Sequence, residues 1–454
     1  MIFEVENLGN INHAKIDLSK NLILFTGQNN TGKTYLSYSI YGLGRAFAVE
    51  SNAYLQKELS ALFERREIEI DLLKVFESLH FSKTTIDQYK LNLVSVFGEN
   101  DPKFLEKTKV NFYWEDKESL MEDIRKMEGK GRVNFYKNTD YNINVHVPKI
   151  REQTMLKVFV DQKDAITTKN IDITVLPKES TEQTLMEMIL NIPLSGLGFT
   201  FIPAERIGVM MFSKDVFSNR FTQSNSLNPI PVVQYSQAIQ NALRTQQYIA
   251  EISKNPMGVF ADLANELEEK IIGGKIEVSP DGEVFLSVKN KKIKMQLAGS
   301  AVKSLSSLVL YLRFQATENT SLIIDEPEIN LHPDNQRVVA RILAKMVNRG
   351  IKVIVSTHSD YIIRELNHLM LMSAHKDSED TKELMERYGY EESELLNPNE
   401  VGAYLFKRND DLTSDVTEIP IDEIDGVQTS TINDVINEQN RVSEALYNRL
   451  VEAV

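Results

Sequence analysis

Eight consecutive residues, Gly27-Gln28-Asn29-Asn30-Thr31-Gly32-Lys33-Thr34, carry the most demanding spacing in the chain. They fill every fixed position of G-x-x-x-x-G-K-[ST], the pattern of a phosphate-binding loop. Gly27 and Gly32 let the backbone fold tightly. The successive N–H groups of Asn29, Asn30 and Thr31 then point into one concavity. The N-terminus of a following helix adds partial positive charge there. Lys33 would reach the β- and γ-phosphates of a nucleotide, and the Thr34 hydroxyl would ligate Mg²⁺. The pattern needs a strand before it and a helix after it. Leu22–Phe25 reads as the short buried strand, and residues 35–47 read as the helix.

Three further stretches could complete such a site. Leu322-Ile323-Ile324-Asp325-Glu326-Pro327-Glu328 is a buried apolar run ending in two adjacent carboxylates. At the carboxyl end of a strand, Asp325 would hold Mg²⁺ directly or through water. Glu326 would orient and deprotonate the attacking water. Ile351–Val355 repeats that logic and ends in Ser356-Thr357-His358-Ser359-Asp360, where His358 could bond the γ-phosphate and sense its loss. Leu297-Ala298-Gly299-Ser300 opens a helix of small residues. It offers an anion N–H groups and a hydroxyl, and a plain N-cap fits it equally well.

Composition bounds the remainder. With 454 residues, 42% of them hydrophobic, the chain can bury a large core, and its length suits two to four lobes. Lys and Arg total 51 against 65 acidic residues, a net charge of −14, which argues against a surface devoted to nucleic acid and leaves a local patch open. No cysteine is present, which excludes disulfides, thiolate zinc sites and a cysteine nucleophile. The opening residues lack a signal-peptide pattern, and no apolar run reaches membrane-spanning length, so a cytoplasmic protein without a membrane partner is expected.

The elements that must position these residues alternate between β and α, which predicts an α/β fold with a mainly parallel central sheet. Residues 2–5, 14–18 and 22–25 read as strands, and residues 50–98 as helical. Period-two patterns at 110–114, 132–136, 141–147, 155–160 and 171–175 predict an antiparallel β lobe, with a helix at 118–127. A helix at 182–190 precedes a strand at 198–202. A polar connection over 213–233 leads to helices at 234–253 and 257–271. Ser279-Pro280-Asp281-Gly282 joins strands 275–278 and 283–288, and 292–297 is a third strand. Ser300 would cap a helix running to about 316. Residues 374–396 are charged and read as a mobile surface insertion. Residues 401–406 and 416–419 are late strands, and 432–450 is a closing helix. The resulting division is 1–206, a helical lobe at 207–272, and 273–454.

Asp325-Glu326-Pro327-Glu328-Ile329-Asn330-Leu331-His332-Pro333 and Ser356-Thr357-His358-Ser359, with the Gly27–Thr34 loop and the opening Glu4–Ile11, resemble the ABC-type ATPases of the SMC/RecF/OLD group. The resemblance spans about residues 1–48 and 270–365, and elsewhere only the order of elements. It implies a head-to-tail homodimer that sandwiches two ATP molecules with Mg²⁺, possible repetition in a larger ring included. Each ATP would meet one protomer's phosphate loop and the other's signature segment. Gly299-Ser300 stands where that signature falls, with Ala301 in place of a glycine. Phe201-Ile202-Pro203-Ala204-Glu205-Arg206 stands at the Q-loop position and has no glutamine. Glu205 could act through Mg²⁺-bound water, and Arg206 could pair with a phosphate or an interface carboxylate; a structural turn with an ion pair is the alternative. Neither a Toprim nuclease nor a long coiled coil is legible, so the chain resembles the stand-alone ATPase component of bacterial anti-phage systems, the PARIS type foremost. That resemblance implies a regulatory ATPase controlling a separate effector such as a nuclease, with a phage product as trigger. The alternative is a repair or chromosome-maintenance ATPase that clamps nucleic acid directly.

Overall fold

The computed structural model describes residues 1–43, 53–77, 83–126, 129–137, 141–160, 178–190, 199–213, 216, 234–289, 291–318, 320–422, 426–427 and 430–447. In chain order its main strands are β1 (Ile2–Leu8), β2 (Ile11–Asp17), β3 (Leu22–Gly27), β4 (Glu67–Asp71), β5 (Lys109–Tyr113), β6 (Gly129–Lys137), β7 (Tyr141–Lys149) and β8 (Met155–Val160). They continue as β9 (Phe199–Ile202), β10 (Lys275–Val278), β11 (Val284–Val288), β12 (Lys291–Lys294), β13 (Ser321–Asp325), β14 (Lys352–Thr357), β15 (Val401–Arg408) and β16 (Ser414–Ile419).

Nine strands form the central sheet in the order β5-β1-β2-β16-β15-β3-β14-β13-β9. The five from β15 to β9 run parallel. The β5-β1-β2 flank is antiparallel, and β16 pairs antiparallel with β15. Parallel strands covered on both faces read as unbroken apolar runs, and β3 and β13 do so. Alternation then splits them between two cores. Leu22, Leu24, Leu322, Ile324, Val353 and Val355 face the helices Ala261–Leu267, Ser300–Phe314, Pro333–Asn348 and Asp360–Ala374. Ile23, Phe25, Ile323 and Ile354 face Leu36 and Ile40 of the Lys33–Gly42 helix and Tyr89 of the Lys83–Phe97 helix. A separate antiparallel sheet, β4-β8-β7-β6, packs its own core, with Ile68, Ile70, Leu156 and Val158 against Leu55, Leu59 and Leu62.

The α/β fold with a mainly parallel sheet matches the expectation, and several elements differ. Residues 109–113 belong to the central sheet rather than the β lobe, with Val110 opposite Val5 and Phe112 opposite Phe3. Stacking of Phe112 on Phe3 at 5.3 Å supplies a reason. The lobe's fourth strand comes instead from 67–71, inside the stretch read as helical; Ile68 and Ile70 alternate there with Glu67 and Glu69. The 374–396 segment is not a loose insertion. It holds the helix Glu379–Tyr388, and its buried Glu394 makes a capping box with Glu391. Glu391 and Glu394 meet Lys345 at 2.9 and 3.5 Å, and Glu266 meets the same amine at 2.9 Å. Opposite charge thus binds a segment whose composition alone suggested solvent. The third hairpin strand stops at Lys294, and residues 295–297 form a 3₁₀ turn. The strand expected at 171–175, most of the 213–233 connection, residues 44–47 of the first helix and residues 448–450 lie outside the described residues.

Candidate active site

Three adjacent parallel strands, β3, β14 and β13, end side by side. Asp325 stands opposite Ser356, and Thr357 stands opposite Thr26. This register carries the Gly27–Thr34 loop, the Asp325-Glu326 pair and His358 to one edge, as a ligand crevice at strand carboxyl ends requires.

The loop's glycines are forced by their surroundings. Gly27 has φ of +132°, and a Cβ there would lie 2.2 Å from the Phe406 carbonyl oxygen of β15. Gly32 has φ of +93°, and a Cβ would meet Ile11 at 2.6 Å and Asn10 at 2.7 Å. Asn30 is left-handed as well, and Asn10 donates to its carbonyl at 2.8 Å. Gly32 is the N-cap of the Lys33–Gly42 helix, so the loop runs directly into the helix N-terminus, where partial positive charge favours an anion.

Lys33 folds over its own loop, donating to the Gln28 carbonyl at 2.7 Å and the Gly27 carbonyl at 3.3 Å. Burial lowers its pKa to about 8, against the pull of Asp325, Glu326 and Glu328. The Thr34 hydroxyl lies 3.1 Å from Asp325 Oδ2, and the Ser356 hydroxyl bonds Asp325 Oδ1. Burial raises the Asp325 pKa, while the hydroxyls of Ser356 and Thr34 oppose the rise. A hydroxyl and a carboxylate converging this way form the hard oxygen donor set that Mg²⁺ takes.

Glu326 sits at φ +47°, with its amide donating to the Ser356 carbonyl at 3.0 Å. Its Oε1 lies 3.7 Å from His358 Nε2. Burial, and then the Lys33 charge, push the His358 pKa down to about 4, so its imidazole is neutral at pH 7. The backbone N–H of His358 and the Thr357 hydroxyl both donate to Glu328 Oε1, at 2.6 and 2.9 Å. Burial raises the Glu328 pKa, and its Oε2 has no partner among the described residues.

The remaining residues singled out in the sequence are Gly299, Ser300, Glu205 and Arg206. Gly299, not Ser300, is the N-cap of the Ser300–Phe314 helix, with no side-chain capping bond. Both are exposed, and a Cβ on Gly299 would meet nothing within 4 Å. Glu205 is exposed. Arg206 is 2% exposed, and among the described residues of its own chain it makes no ion pair. It donates to backbone carbonyls of Ser304, Pro203, Asp325 and Glu326 instead. That reach spans some 120 residues of sequence, so no local pattern announced it. Glu328 was visible within the carboxylate run, yet its grip on the His358 backbone was not.

The matching family model describes an AAA ATPase domain and covers residues 1–363. The chain belongs to that AAA ATPase family. Among solved structures it is similar to an SMC head bound to the C-winged helix domain of ScpA, at 11% identity and TM-score 0.39, covering 93% of this chain and 98% of that one. It is also similar to the SMC head domain from Thermotoga maritima, at 10% identity and TM-score 0.31, with coverages of 92% and 98%. A third similar structure is an SMC head with an extended coiled coil, bound to the C-terminal domain of ScpA derived from Pyrococcus furiosus. It shows 11% identity and TM-score 0.37, covering 97% of this chain and 98% of that one. None of the curated proteins matches the chain in sequence. Among the described residues no helix is long and apolar enough to cross a membrane.

Proposed function

We propose that this ATPase hydrolyses ATP at the β3-β14-β13 edge and uses the cycle to regulate a separate protein. The convergence of Thr34, Asp325 and Glu326 beside the Gly27–Thr34 cradle carries this reading. Backbone N–H groups of Asn29–Lys33 would bind the phosphates, with Lys33 exchanging its carbonyl partners for phosphate oxygens. Mg²⁺, held by Thr34 and Asp325, would neutralise charge on the phosphates. Glu326 would orient the attacking water and take its proton. Neutral His358 would donate its one ring N–H to a γ-phosphate oxygen. Gly299 and Ser300, exposed at a helix start, would complete the site of a second copy in a homodimer.

The regulated protein is an effector such as a nuclease in an anti-phage system, with a phage product as trigger and a cytoplasmic setting. The net charge of −14 supports control of a partner over direct clamping of nucleic acid. Among the described residues, the one cluster of metal-type ligands outside the site, Glu266, Glu391 and Glu394, encloses the Lys345 amine instead. Purified protein should hydrolyse ATP without cleaving DNA or RNA. Nuclease activity of the isolated chain would overturn the effector arrangement, and absence of ATP binding would overturn the whole reading.

A further inference from the structure

Arg206 is a cation buried at the base of the candidate site, and all five of its N–H donors are used. Nε donates to the Ser304 carbonyl at 3.0 Å. Nη1 donates to the Pro203 carbonyl at 3.2 Å and the Asp325 carbonyl at 2.9 Å. Nη2 donates to Ser304 Oγ at 3.0 Å and the Glu326 carbonyl at 2.8 Å. Ser304 Oγ in turn donates to the Ile329 carbonyl at 2.8 Å. The Ser300–Phe314 helix therefore grips both ends of the 326–329 turn. Glu326 occupies a left-handed backbone that a glutamate adopts rarely. Its peptide is held from two sides, the amide by β14 and the carbonyl by Arg206.

We infer that Arg206 is a positioning residue, which holds Glu326 in its left-handed conformation and ties that turn to the helix beginning at Ser300. The inference rests on the ATPase reading for its catalytic consequence and on geometry alone for the clamp. The planar five-donor fork of arginine is needed, because a lysine offers three donors from one point and cannot serve four carbonyls and a hydroxyl spread around a plane. Neighbouring carboxylates do not take over the cation: the charges of Glu328, Asp325, Glu326 and Glu205 act on it, yet its hydrogen bonds all go to carbonyls and one hydroxyl. A displacement of the Ser300 helix is passed to the Glu326 carbonyl through two hydrogen bonds on one rigid group.

The test compares wild type with Arg206→Lys and the milder Ser304→Ala, which loses only the hydroxyl links. Hydrogen exchange of peptides covering 322–331 and 300–308 reads the clamp without turnover. Both peptides should exchange faster in Arg206→Lys, and 322–331 also in Ser304→Ala. Unchanged exchange in both variants overturns the inference whether or not the protein hydrolyses ATP. In the ATPase assay Arg206→Lys should lower kcat at least ~10-fold with KM within ~3-fold, the scale of a misplaced catalytic group. Adding Arg206→Lys to Glu326→Gln should cost nothing further, because Arg206 acts through Glu326. A double variant slower by the product of the two effects overturns that route. If Arg206→Lys does not fold, Ser304→Ala carries the same exchange and non-additivity tests. Wild-type protein that neither binds nor hydrolyses ATP, with the exchange result intact, sinks the ATPase reading and leaves the clamp standing.

Discussion

The Thr34 hydroxyl donates to Asp325 Oδ2 across 3.1 Å, joining two residues 291 positions apart at the ends of β3's loop and β13. Between those strands lies β14, whose Ser356 holds the other Asp325 oxygen. The carboxylate is thus held by one hydroxyl from the Lys33–Gly42 helix and one from β14, while burial makes its charge costly. This preorganisation underlies the predictions that follow.

Lys33 should link nucleotide binding to pH. Its amine, lowered to about 8 by burial, is partly neutral above pH 8. Phosphate oxygens favour the charged form, so binding raises that pKa. Binding should then take up a proton above pH 8, and affinity should weaken as pH rises through 8 and beyond. Calorimetry at pH 8.5 in two buffers of different ionisation enthalpy checks this; equal apparent enthalpies would count against it. Lys33→Ala should lose productive ATP binding, since the point charge on the phosphates is gone.

Glu326→Gln should bind ATP and hydrolyse it at least ~100-fold more slowly, the scale for losing a positioned base. The amide keeps the shape and the backbone bond to Arg206 while losing the proton acceptor. Single-turnover measurement separates chemistry from binding. Turnover near wild type would move the role elsewhere, with Glu328 and Glu205 next to be tested.

His358 should show no titration limb in the kcat/KM profile between pH 5.5 and 8, because that profile reports the free enzyme. Its pKa of about 4 leaves the imidazole neutral throughout that window. A limb near pH 6.5 that disappears in His358→Gln would contradict the neutral assignment.

Completion of the site by a second copy predicts complementation. Ser300→Arg should leave ATP binding nearly intact and stop hydrolysis, and Lys33→Ala should stop it through the phosphate loop. In a mixed dimer one site carries both defects and the other neither, so mixing should restore activity. No recovery across mixing ratios, with subunit exchange confirmed, would place completion of the site in cis.

Lys345→Met should lower unfolding stability by about 3 kcal/mol, because three carboxylates lose their shared cation and only Lys270 on Glu266 and Arg341 on Glu394 remain. Lys345 is 5% exposed, and its amine holds Glu266 at 2.9 Å, Glu391 at 2.9 Å and Glu394 at 3.5 Å. Denaturant titration with unchanged m-value checks this. A shift under 1 kcal/mol would show that the segment from 379 to 396 is held by apolar contacts instead.

The sequence by itself determined what neighbouring residues can express. The phosphate loop is eight consecutive positions whose glycines answer a local backbone demand, and the structure has both of them at positive φ. The buried runs of β3, β13 and β14 announced parallel strands because both of their faces are covered. What tertiary structure decided is pairing across long separations. Ile68 and Ile70 carry a two-residue period too short to stand out between helices, until β8 pairs with them. Residues 109–113 look like any half-buried strand, and only Phe3 and Val5 across the ladder place them in the central sheet. The charges of 374–396 read as solvated until Lys345 and Arg341 are seen beside Glu394. Arg206 differs from an ion-pairing arginine only through carbonyls supplied by Ser304, Asp325 and Glu326. Backbone carbonyls are the same at every residue, so no choice of side chain marks in advance which ones a buried cation will find.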